Sequence, residues 1–175
     1  MNIRATALSR ANIRDLTLKL REQCGMQNQL YFPIVEFIEW ILGDPDNDFD
    51  YEIVPASEMG DTYGTTNTAS NVMRIREDVY DGAVAGNPRD RFTLCHELGH
   101  FLLHQPELVS YARGNIPTYC QPEWQANTFA AELMAPYHLV KNMTAEEIAH
   151  NCGMSITAEC ANSCKYVILA VKPQY

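Results

Sequence analysis

The chain has 175 residues, 46% of them hydrophobic, with a formal charge of −9. That length predicts one domain over residues 1–175 and leaves no room for a second catalytic one, and the acidity excludes a large phosphate-binding surface, which needs lysine and arginine. No stretch approaches the roughly 18 apolar residues that span a bilayer, so a soluble, cytoplasmic protein is expected. Six cysteines are scattered, one of them inside a helical motif, so reduced structural thiols are expected instead of a disulfide scaffold. Cys152, Cys160 and Cys164 form no paired C-x-x-C.

In chain order, Ile13, Leu16, Leu20 and Cys24 recur at three- and four-residue steps and predict an amphipathic helix from about Ala11 to Cys24, stopped by Gly25. Pro33 starts a second helix through Leu42, ended by Gly43, in which Phe37 and Trp40 are expected to pack. The acidic run from Asp44 to Asp50 lacks the glycine and terminal glutamate of a calcium loop and reads as a solvated connection. Tyr51–Val54 and Asn71–Arg76 predict strands, with a short strand over Thr62–Thr65. A sheet edge beside the next helix could hold an extended peptide by strand addition.

Asn87 is a candidate cap and Pro88 a first-turn residue for the helix that carries His96-Glu97-Leu98-Gly99-His100. At about 100° per residue the two histidines lie one turn apart on one face, where both can reach a single ion. A catalytic zinc keeps one position for water, and Glu97 is the natural general base toward it. Leu94, Cys95, Leu98, Phe101 and Leu102 form the apolar stripe on the other side. A polar helix face toward water is the plain alternative. His104 lies too far along the axis to share an ion with His96 and His100, and is read as a helix-end residue whose cationic or hydrogen-bonding ring suits the terminal carbonyls.

Two histidines leave such an ion one protein ligand short. The stretch Gln105–Pro122 reads as an irregular loop over a cleft, in which Tyr111, Arg113 or Tyr119 could polarise a carbonyl; His138 is a further candidate. Pro122 then introduces a helix to Pro136 whose Ala126, Ala130 and Ala131 permit close approach of another helix, with Phe129 and Leu133 as bulk. Glu123, in its first turn, is assigned as the third ligand, and Asn127, one turn later, as a residue that orients a histidine or the ligand carboxylate. Glu132 is the rival carboxylate and reads as solvated surface.

The two blocks Arg91–His104 and Glu123–Pro136 together resemble the ImmA/IrrE family of metallopeptidases, with Leu133-Met134-Ala135-Pro136 where the family commonly reads Leu-Met-Pro. The resemblance implies an α+β, zincin-like domain with a small β-sheet, a motif helix, a crossing ligand helix and a C-terminal helical pair. It implies Zn2+ held by His96, His100 and Glu123, Glu97 as base, and a helix-turn-helix transcriptional repressor as protein substrate, cleaved to switch on a stress response or a mobile element.

Thr144 with Glu147 forms a capping box, and Gly153-Met154-Ser155 turns into a second helix from Ile156, so residues 142–175 imitate a helix-turn-helix. That second helix has no arginine to read a base, which favours packing or partner docking over direct DNA binding. Besides a zinc endopeptidase, the sequence admits a metal-bearing regulatory or toxin–antitoxin component that acts by partner binding without proteolysis.

Overall fold

The structure is a computed structural model and describes residues 2–42, 46 and 49–155. Its strands are β1 (Asn2–Ala5), β2 (Asp50–Val54), β3 (Gly64–Asn67), β4 (Val72–Arg76) and β5 (Val109–Ala112). The helices are α1 (Arg10–Gln23), α2 (Ile34–Phe37), α3 (Ala56–Met59), α4 (Glu77–Val84), α5 (Pro88–Leu103), α6 (Pro122–Met134), α7 (Tyr137–Val140) and α8 (Ala145–Cys152). The arrangement is α+β, as expected. The second C-terminal helix predicted from Ile156, and most of the acidic run from Asp44, lie outside the described residues.

β2, β4 and β3 form one sheet in that order, β2 parallel to β4 and β3 antiparallel to it with Thr66 opposite Met73. In β4, Met73 and Ile75 alternate inward and are fully buried, the period-2 pattern of a sheet with one face on the core. β3 is two residues later than the predicted Thr62–Thr65 and forms an edge of this sheet, packed against α5.

Gln105–Pro122 is not an irregular loop. It contains β5 and two 3-10 turns, Pro106–Leu108 and Thr118–Cys120, and β5 pairs with β1, Ile3 opposite Tyr111. Its glycine and prolines masked the strand, and the partner lies more than a hundred residues away, beyond any local signal. α4 also escaped prediction: at eight residues, with Gly82 inside, it has a weak helical signature.

α1 begins one residue before the predicted start, because Ser9 and Asn12 cap each other reciprocally. Its buried face is rotated from the predicted stripe: Ile13, Thr17 and Arg21 are buried, while Leu16 is exposed. Arg21 is tolerated inside because its guanidinium donates to the carbonyls of Leu133 and Gln29. The predicted second helix is α2 followed by a π-helical turn, Ile38–Leu42; Phe37 is buried, but Trp40 is 77% exposed and does not pack.

α5 and α6 make the most extensive contact between any two elements, and their packing positions the site. Asn87 accepts from the Arg89 N–H and Pro88 occupies the first turn, as predicted. Leu94, Cys95 and Leu98 are fully buried; each leucine is worth about 1.5–3 kcal/mol of burial. Phe101 is only half-buried and Leu102 is exposed, so the stripe ends earlier than the sequence suggests. The helices meet where Gly99 faces Ala126: a Cβ on Gly99 would stand 3.1 Å from the Ala126 Cα. Ala130, Ala131, Phe129 and Leu133 are buried along the same helix. Thr144 and Glu147 form the predicted capping box on α8, and Gly153 ends it in the left-handed conformation, φ 63°.

Candidate metal centre and active site

α5 presents His96 and His100 on adjacent turns, and the first turn of α6 brings Glu123 across them. The two Nε2 atoms face each other at 3.0 Å. Glu123 Oε2 lies 3.4 Å from His96 Nε2, and its Oε1 lies 3.3 Å from His100 Nε2. These three residues are the group of metal-ligating side chains that converges among the described residues, one ligand atom of each lying within 4.8 Å of the others. A tetrahedral ion with bonds of about 2.0–2.2 Å spaces its ligand atoms about 3.3–3.5 Å apart, close to these edges. Ring nitrogens and a carboxylate drawn this close together favour a positive charge among them, a metal ion or a shared proton. The donor set therefore fits a metal ion.

Electrostatics agree. The hydrogen bonds to His100 and His96 hold Glu123 well below the ordinary carboxylate range, although its side chain is 60% exposed. Burial works against protonation of His96, but the hydrogen bond with Glu123 and the charges of Glu97 and Glu123 outweigh it and raise its pKa. His96 Nδ1 sits 3.0 Å from Asn127 Oδ1, so Asn127 orients this ring as its position one turn after Glu123 predicts.

Glu97 is 7% exposed and lies between α5 and β3. Thr66 of β3 donates its hydroxyl to Glu97 Oε2 at 2.8 Å and also approaches the Glu97 carbonyl at 3.1 Å. The strand comes this close because residue 64 is glycine: a Cβ there would lie 2.8 Å from Glu97 Cγ. Gly64 and Thr66 were invisible as site residues in the sequence, where they belong to a short polar strand with no chemical signature.

Glu132 and His104 require correction. Glu132 is not solvated surface; its side chain is 0% exposed and is held by Arg10 at 2.8 Å and Arg14 at 3.0 Å, both from α1. It is engaged there and does not join the histidines. His104 does end α5, its backbone N–H donating to the His100 carbonyl, and its ring is a hydrogen-bonding one, but the partners are the side chains of His100 and Gln125 and not the terminal carbonyls. It is buried between His100 and Gln125, and burial, reinforced by His100, pushes its pKa down to about 4. Tyr111 is 77% exposed on β5, Tyr119 contributes its carbonyl to Gln125, and His138 bonds the Gln27 carbonyl. Among the described residues, no hydrogen bond links the side chain of Tyr111, Arg113, Tyr119 or His138 to the site.

A helix bearing two histidines and a glutamate, faced by a carboxylate from a crossing helix, defines the frame of a metal-dependent hydrolase. The family model of the IrrE N-terminal-like domain, Peptidase_M78, matches residues 58–161, more than half of the chain and spanning every residue of the site. The chain belongs to this family and is a metallopeptidase of the ImmA/IrrE type. No curated protein and no solved structure matches it. Among the described residues no helix is long and apolar enough to cross a membrane. The thiols of Cys24, Cys95, Cys120 and Cys152 are free, three of them buried.

Proposed function

We propose that the protein is a zinc-dependent endopeptidase whose ion is held by His96, His100 and Glu123. The convergence of these three side chains beside Glu97 carries the reading. Zinc, when bound, supplies Lewis-acid polarisation of a peptide carbonyl and acidifies water. Glu97 is the general base: Thr66 occupies Oε2, and Oε1 takes the proton of the attacking water and returns it to the departing amine nitrogen. Asn127 holds the His96 ring with Nε2 toward His100 and Glu123, where it would meet a bound ion. The exposed edge of β3, adjacent to Glu97, suits an extended substrate backbone added as a strand.

The substrate we propose is a helix-turn-helix transcriptional repressor, whose cleavage switches on a stress response or mobile element in the cytoplasm; the resemblance of Arg91–His104 and Glu123–Pro136 to the ImmA/IrrE family supports this. The test pairs composition with turnover. Elemental mass spectrometry is expected to find about one zinc per wild-type chain and little in folded His96→Ala or Glu123→Ala. Glu97→Gln is expected to keep the zinc and lose cleavage of a candidate repressor by about 10²–10⁴-fold. Biological activity that survives Glu97→Gln would overturn the peptidase in favour of a partner-binding metalloprotein.

A further inference from the structure

Behind the two histidines runs a chain of hydrogen bonds whose direction can be read from its far end. The amide nitrogen of Gln125 lies 2.8 Å from the Thr6 carbonyl and 2.7 Å from the Tyr119 carbonyl. Carbonyl oxygens only accept, so both amide protons are committed to them and Gln125 Oε1 must be the atom that faces His104. His104 Nε2 is 3.0 Å from that oxygen and therefore carries the proton. A neutral imidazole has one N–H, which leaves His104 Nδ1 as an acceptor. His100 Nδ1 stands 3.0 Å from it, so the proton between the two rings belongs to His100.

We propose that His104 and Gln125 are positioning residues which lock His100 in its Nδ1–H tautomer and so present the bare Nε2 lone pair to a divalent cation. The inference rests on the reading of His96, His100 and Glu123 as metal ligands. It assigns unequal support to the two histidines. His96 is oriented by Asn127, whose Oδ1 lies 3.0 Å from its Nδ1. His100 is oriented by a buried chain rooted in backbone at two distant points of the sequence. Oriented imidazole ligands commonly gain about 10–100-fold in metal affinity from such partners.

The test has two readouts on the full chain. In metal-free protein with 15N-labelled histidine, nitrogen–proton correlation spectra report which ring nitrogen bears the proton. His104 is expected as Nε2–H and His100 as Nδ1–H; His100 as the Nε2–H tautomer overturns the proposal whether or not the protein binds zinc. Zinc affinity is then measured by competition with a chromogenic chelator. His104→Leu, folded by circular dichroism, is expected to weaken binding about 10-fold or more, and His104→Gln, which can accept from His100 and donate to Gln125, to restore most of it. Wild-type affinity in folded His104→Leu overturns the proposal. If wild-type protein binds no zinc, the metal-ligand reading fails, and the tautomers still decide the inference.

Discussion

The two carboxylates at opposite ends of α6 invert what their surroundings suggest. Glu132, near the C-terminal end, is fully buried and paired with two arginines of α1; Glu123, in the first turn, keeps a 60% exposed side chain and yet converges on both histidines. The buried one ties two helices together, and the exposed one serves the site. Burial of a charged group therefore does not mark function here: a carboxylate already neutralised by arginine has nothing left to offer an ion, whereas one facing two imidazoles does.

This contrast can be broken first by removing the cations around Glu132. The double variant Arg10→Ala, Arg14→Ala leaves a buried carboxylate without a counter-charge and is expected to lose about 3–5 kcal/mol of stability in urea titrations, with zinc per folded chain unchanged. Thr66→Val removes the donor to Glu97 Oε2; its expected cost is about 1–2 kcal/mol, and peptide hydrolysis falls about tenfold while zinc content stays constant. Glu123→Ala is the mirror of the first variant: metal-free stability is expected to stay within about 0.5 kcal/mol of wild type, and zinc is lost. The smallest effect concerns the thiols. Burial pushes the Cys95 thiol up to about 12, so alkylation mapped by mass spectrometry is expected to spare Cys95 in the folded protein and to modify the half-exposed Cys24 sooner.

The contrast also measures what the sequence could convey. Spacing alone placed His96 and His100 on one face, and the alanines of α6 announced a close crossing, because both are periodic and local. The capping pair Thr144 and Glu147 and the entry Asn87-Pro88 are likewise local signals, and the structure has both. What stayed hidden depends on partners far away in the chain. Glu132 looks solvated until α1 supplies its arginines, β5 looks like loop until β1 pairs with it, and His104 looks like a helix end until Gln125 reaches its ring. Trp40 failed in the other direction: its type suggests packing, but nothing in a single sequence states which side of a short helix meets the core.

The contact of Gly99 on Ala126 has a consequence for how Glu123 meets the histidines. It sets the separation of α5 and α6, and Glu123 rides on one helix while the histidines ride on the other. The helix separation from which Glu123 reaches the histidines is thus set in backbone, and only the torsions of the Glu123 side chain are left to adjust the remaining distance. A single methyl at position 99 would act as a shim between the helices, 3.1 Å from the Ala126 Cα, and would push the base of α6, with Glu123 on it, away from the imidazoles without touching any of the three side chains.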